Sequence, residues 1–94
     1  MQLVGLKILD DFKKKHALAR GTLNAWVAEA EEGVWACSQD IKNRYSTASF
    51  LEENKVIFNI NGNKYRLVVK VDYQRHIVIV SWIGTHAEYT KKKF

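Results

Sequence analysis

The chain carries a single cysteine, Cys37, in 94 residues. A lone thiol excludes an internal disulfide and the zinc sites built from several cysteines. It predicts a small buried side chain in a reducing compartment, and no base stands near it to support a nucleophilic role. Long apolar runs are missing as well. None approaches the roughly 18 residues that a bilayer-spanning helix needs. The opening MQLVGLKILDDF meets Asp10 and Asp11 before an apolar signal-peptide core can form. The expectation is a soluble, cytoplasmic protein with no membrane partner. A glycine-rich phosphate loop is absent, as are the DxD and HExxH patterns, so neither a metal nor a cofactor is expected.

What the chain does have is apolar mass and positive charge. Hydrophobic residues make up 47% and aromatic ones 12%, which is enough for a core and argues against disorder. The length suits one small domain, residues 1–94, that buries only about 60–65% of its unfolded surface. Against 10 Asp and Glu stand 15 Lys and Arg, a net charge of +5. Such a balance points to a polyanionic partner: nucleic acid, an anionic membrane or an acidic protein segment. It also serves ordinary solubility.

The first half is helical in pattern and the second strand-like, the segregation of an α+β fold. Residues 2–4 read as a short opening strand. Residues 6–16, LKILDDFKKKH, have a helical period in which Ile8 and Leu9 meet Phe12 one turn on. Lys13, Lys14, Lys15 and His16 fall at the negative end of that helix dipole. A second helix spans 18–32, with Ala19, Leu23, Trp26, Val27 and Ala30 on one stripe and Gly33 as its stop. Ser38 is placed to cap a short third helix carrying Ile41 and Tyr45. Residues 46–54 form a connecting loop from which Phe50 or Leu51 tucks inward. KVIFNI, NKYRLVVKVDY and HIVIVSWI then alternate as strands. Asn61–Gly62 is the strongest hairpin signal; a two-residue loop there opposes Phe58 to Tyr65 and Val56 to Leu67. A second loop at Gln74–Arg75 opposes Val71 to Val78, Val69 to Val80 and Leu67 to Trp82.

In this register Val56, Phe58, Tyr65, Leu67, Val69 and Val71 share an apolar face. Ile57, Asn59, Lys64, Arg66, Val68 and Lys70 share the other, joined by Ile77, Ile79, Ser81 and Ile83. The last strand is therefore apolar on both sides. It calls for a cover: a C-terminal helix, a partner or a ligand. Cations on an apolar floor attract anions more strongly than cations in bulk solvent. Long side chains snorkelling over a shallow apolar patch give the same pattern.

The end of the chain, GTHAEYTKKKF, adds chemistry. Thr85 and Glu88 have the spacing of a capping box, so His86 and Tyr89 fall on one side of a turn. That turn is tethered to the strand beside the one bearing Arg66. Imidazole, phenol and guanidinium can then converge, with Lys91 and Lys92 just beyond. The set suits metal-independent cleavage of RNA through its own 2′-hydroxyl. Imidazole exchanges a proton near neutral pH. Arg66 can hold a phosphate in two-point contact and stabilise developing charge. Lys64 or Lys70 adds charge, and Tyr89 stacks on a base or orients a phosphate. Singly, each has a plainer role: His86 at the sheet end, Tyr89 as cover, KKK at 91–93 as a solvated tail. Only the joint occurrence of His86, Tyr89 and Arg66 makes catalysis competitive. His16, His76 and the acidic pairs Asp10–Asp11 and Glu52–Glu53 stand apart from the set.

VIFNINGNKYRLVVKV followed by VIVSWIGTHAEY resembles the HigB-type toxins of bacterial toxin–antitoxin modules, within the RelE/ParE superfamily. LNAWVAEA, the Trp at 35 and DIKNRY extend the likeness over nearly the whole chain. The resemblance implies a RelE-like fold: two to three N-terminal helices packed on a twisted, mainly antiparallel sheet of about four strands, with a short C-terminal helical turn. It implies a ribosome-dependent endoribonuclease that cleaves translated mRNA in the A site. A HigA-type antitoxin with a DNA-binding fold would be its partner, in a hetero-oligomeric complex. On the family pattern Arg66 contacts the scissile phosphate, and His86 and Tyr89 supply proton transfer and base contacts. Lys91 or Lys92 assists, and Lys64 is a weaker carry-over. RelE-type relatives have Arg where this chain has His86, so His86 is acid, base or phosphate ligand. The superfamily also contains gyrase-poisoning members, and a non-catalytic RNA or ribosome binder would carry the same charge; the fold alone does not choose among them.

Overall fold

Helical periodicity gives way to alternation in the middle of the chain, and the architecture divides at the same place. The computed structural model describes residues 1–92; Lys93, the last of the KKK run, lies outside the described residues. In chain order the elements are β1 (Gln2–Val4), α1 (Leu6–Lys15), a 3-10 turn at Ala17–Ala19, α2 (Arg20–Glu32), α3 (Ser38–Arg44), β2 (Ser49–Phe50), β3 (Lys55–Ile60), β4 (Tyr65–Asp72), β5 (Ile77–Thr85) and α4 (His86–Lys91). The strands form a sheet in the order β1-β5-β4-β3-β2. It is antiparallel except where β1 runs parallel to β5. The α+β class is as expected. The sheet has five strands rather than about four, because residues 49–50, expected as loop, pair with Ile57 and Val56 of β3.

Helices α1 to α3 cover one face. Leu9, Phe12, Leu23, Trp26, Ala30 and Ile41 are buried there against Val56, Phe58, Leu67, Val69, Val78 and Val80. Phe58 is ringed by aromatic side chains, with centroids of Tyr45 at 5.1 Å, Trp26 at 5.4 Å and Trp35 at 6.3 Å. Edge-on and offset contacts of this kind add to the area they remove from water. Gly5 lets α1 start flat against the sheet. Its φ is +88°, and a Cβ there would stand 2.8 Å from the Val80 carbonyl oxygen.

Several local expectations are corrected. Between β3 and β4 the loop is four residues long, so Ile60 opposes Tyr65, Phe58 opposes Leu67 and Val56 opposes Val69. The Asn61 side chain sets this loop by donating to the Leu18 carbonyl at 2.7 Å and accepting from the Thr22 hydroxyl. Lys64 N–H turns back to the Asn61 carbonyl instead of joining the ladder. The second hairpin keeps Val71 opposite Val78 and Val69 opposite Val80, but Leu67 opposes Ile83, not Trp82. A bulge leaves Ser81 unpaired between Val80 and Trp82. Beyond it the alternation is inverted: Ile83 is buried in the core and Trp82 joins the open face. Ile83 lies in a cleft with Ile8 and Phe12 of α1, where an indole would have to bury its N–H.

Cys37 is exposed rather than buried, because it is the extended cap residue ahead of α3. Ser38 is the first helical residue, and the helix start is instead closed by Asp40, which accepts from the Ala36 N–H at 2.9 Å. Gly33 ends α2 in an extended conformation, not a left-handed one; its missing side chain makes room for Trp35, whose Nε1 would lie 3.0 Å from a Cβ. Phe50 and Leu51 both stay part-exposed, and Ala48 takes the inward place.

Candidate active site

On the open face, Asn59, Arg66 and Gly84 stand side by side across β3, β4 and β5. Opposed residues share a face, so Ile57, Val68 and Trp82 belong to the same surface. Ile57 and Val68 are buried although they lie outside the main core. They form the apolar floor over which Arg66 extends.

Helix α4 rises from the end of β5 beside this floor. Its first turn is a complete capping box. Glu88 N–H donates to Thr85 Oγ1 at 3.1 Å, and Thr85 N–H donates to Glu88 Oε1 at 2.8 Å. The Glu88 carboxyl is held below the usual carboxylate range, first by the Thr85 backbone N–H, then by the Thr85 side chain, with smaller attractions from His16 and Lys15. A further tie runs to the β3–β4 loop, where His86 N–H donates to the Lys64 carbonyl at 2.9 Å. The extra loop residues that displace Lys64 from the ladder thus leave its carbonyl to seat α4.

This seating brings three side chains together. Arg66 Nε donates to His86 Nδ1 at 3.2 Å, and Arg66 Nη2 lies 3.0 Å from the same nitrogen. Arg66 Nη1 donates to Asn59 Oδ1. Its Cζ stands 5.5 Å from the centroid of the Tyr89 ring. A guanidinium has donors only, so Nδ1 must accept and the proton of the neutral imidazole resides on Nε2. The partners of Arg66 are an imidazole, an amide and a phenol ring. Among the described residues no carboxylate ion-pairs with it. Its positive charge is therefore available to an incoming anion. Among the described residues no group of three or more His, Cys, Asp or Glu is placed to hold a metal ion.

Residues 19–92 match the HigB toxin family, described as the RelE-like toxic component of a toxin–antitoxin system. The chain belongs to the HigB toxin family. Comparison with curated proteins gives no match. The helices and five-stranded sheet constitute a RelE-like fold, and a HigB toxin has an antitoxin as its partner. No helix among the described residues is long and apolar enough to cross a membrane.

The HigB residues singled out from sequence divide into two groups. Arg66, His86 and Tyr89 converge. Lys92 stands nearby, its Nζ 5.5 Å from the centroid of the Trp82 ring, and Lys91 is exposed on the last turn of α4. Lys64 is exposed in the loop, and its main chain is what touches the site. Lys70 shares the face but stands four residues along β4 from Arg66, about 13 Å away at strand rise. It lines a separate open groove with Glu53, Asp72 and Tyr73.

Two residues of the site lay outside the expected set. Asn59 was legible as a face-mate of Arg66, and only its amide hydrogen bond gives it a role. Trp82 was assigned to the core, and no local signal marks the bulge that moves it.

Proposed function

We propose that this HigB-family toxin is a metal-independent, ribosome-dependent endoribonuclease, an mRNA interferase acting on translated mRNA in the ribosomal A site. One observation carries the proposal: the guanidinium of Arg66 and the imidazole of His86 meet at hydrogen-bond distance with the Tyr89 ring alongside.

Cleavage would proceed by attack of a ribose 2′-oxygen on the adjacent phosphorus. The bond from phosphorus to the 5′ oxygen breaks, leaving a 2′,3′-cyclic phosphate and a 5′-hydroxyl. A base must remove the 2′ proton, an acid must protonate the leaving oxygen, and cations must hold the non-bridging oxygens. Arg66 suits the last task, since two of its N–H groups match two phosphate oxygens. As a phosphate draws Arg66 toward itself, Nδ1 of His86 is released. The imidazole then has an acceptor at Nδ1 and a donor at Nε2, one for each proton role. Tyr89 orients the phosphate or stacks on a base, Lys64, Lys91 and Lys92 add positive potential around the entry, and Lys70 extends it along the face. The inhibitor would be a HigA-type antitoxin in a hetero-oligomeric cytoplasmic complex, its acidic or apolar segment competing with RNA for the open face.

The test is to incubate the toxin with translating ribosomes and map new mRNA 5′ ends. Codon-phased cuts bearing 5′-hydroxyls are expected. Undiminished cutting by an Arg66→Ala, His86→Ala double variant would falsify the mechanism. Intact mRNA with an induced DNA-damage response would point instead to gyrase.

A further inference from the structure

The open face carries more aromatic surface than the proposed chemistry uses. Beyond Arg66 the order is ring, ring, cation. Tyr89 lies 5.5 Å from the guanidinium, Trp82 is 6.2 Å from Tyr89 between centroids, and Lys92 lies over Trp82 at 5.5 Å. Trp82 reaches this place through two independent features. The Ser81 bulge turns it away from the helices. Gly84 then gives it room: a Cβ at position 84 would stand 2.4 Å from Trp82 Cζ2 and 2.5 Å from Cη2. The indole therefore leans along β5 across the residue that directly opposes Arg66. Trp26 and Trp35 are buried, whereas Trp82 is only half-buried.

A large ring kept partly in water, beside a cation that has no carboxylate partner among the described residues, is the arrangement by which proteins hold single-stranded nucleic acid. Cations follow the backbone, and bases stack on aromatic faces. We propose that Trp82 is a base-stacking platform: an unpaired nucleobase of single-stranded RNA, adjacent to the phosphate held by Arg66, stacks on its indole. Lys92, now over the ring, moves to the neighbouring phosphate. The proposal rests on the reading of the site as an RNA site and adds a subsite to it. Purines, with the larger π face, are preferred there.

The experiment uses uncleavable 2′-O-methyl trinucleotides, one with a central adenine and one abasic at that position. Their charge is the same, so any difference reports stacking. Tryptophan emission reads the contact, because Trp82 is the solvent-reached indole of the three. Quenching by the adenine trinucleotide is expected, with affinity on the order of 10-fold weaker for the abasic one and for Trp82→Leu. Trp82→Phe should retain most of the affinity. Gly84→Ala, which pushes the indole aside while keeping it in the chain, should weaken binding as Trp82→Leu does, and it decides the matter if the leucine variant does not fold.

Equal affinity for the two trinucleotides, or no quenching by either, overturns the platform. Quenching by an antitoxin segment but by neither trinucleotide overturns it as well and makes Trp82 a protein contact. The ribosome assay fails or succeeds separately. Adenine-dependent quenching without mRNA cleavage would remove the nuclease and leave the platform, whereas cleavage without quenching would do the reverse.

Discussion

On the helix-covered face of the sheet, the inward residues from Val56 to Ile83 are apolar, and no polar or charged residue among those described is buried. On the open face, Asn59, Arg66 and Tyr89 at partial exposure and the exposed His86 are held together through Arg66 above a floor that includes Ile57 and Val68. Cohesion on the first face comes from close packing, which feels even small changes of volume. On the second it comes from directed polar contacts that water can replace. Stability and function should therefore separate by face, and substitutions can break or sharpen that separation.

The largest effect is expected at Phe58, the centre of the aromatic cluster. Phe58→Ala should lower the unfolding free energy by about 3–5 kcal/mol in urea denaturation. A loss under about 1 kcal/mol would mean that the covered face is not the stabilising one. Next comes Arg66→Ala, which should leave the urea midpoint nearly unchanged while mRNA cleavage falls on the order of 10²-fold. Destabilisation comparable to that of Phe58→Ala would erase the contrast between the faces.

The two faces should also answer oppositely to pH. Between α2 and α3, burial pushes the Tyr45 phenol well above its ordinary range, reinforced by its 2.6 Å hydrogen bond to Glu29. The folded state thus favours the protonated phenol. This contribution is fully present below the unfolded value near 10 and declines as pH rises beyond it. Tyr45→Phe should cost about 1–2 kcal/mol at neutral pH through the lost bond to a carboxylate, and should flatten the alkaline decline followed by circular dichroism.

Glu88, at the base of the site, has the reverse sign. Its carboxyl is held low, so its contribution to the α4 cap is present above about 4.5 and fades as pH falls through the folded value. Thr85→Ala should cost about 0.5–1 kcal/mol. Carboxyl NMR should show the Glu88 titration of that variant moving only part of the way toward an ordinary glutamate, because the side-chain contribution of Thr85 is lost while its backbone N–H remains; an unchanged titration would sink this account of α4.

Period-2 patterning made the covered face readable from sequence, and it survived an error of register. The first hairpin is displaced by two residues, and because side chains alternate, Val56, Phe58, Leu67 and Val69 kept their side of the sheet. The cause was not local. Asn61 carries the turn signal, but its side chain is tied to Leu18 and Thr22 of the helical half. The convergence of Arg66 and His86 was legible because one strand, one turn and a capping box fix their relative position. Asn59 was visible as a neighbour without a task. Trp82 was not visible in its true place, since nothing about Ser81 announces an unpaired residue; that depends on which side chain fits beneath α1.

The surplus residue in β5 works as a phase inverter. Before it, even-numbered positions such as Val78 and Val80 face the helices; after it, odd-numbered Ile83 does. Everything downstream inherits the inverted setting, including the side on which α4 departs and so the direction from which His86 approaches Arg66. The spacing of this segment is thus constrained as tightly as its chemistry: one residue more or fewer would leave each side chain intact and turn the imidazole to the wrong side of the sheet.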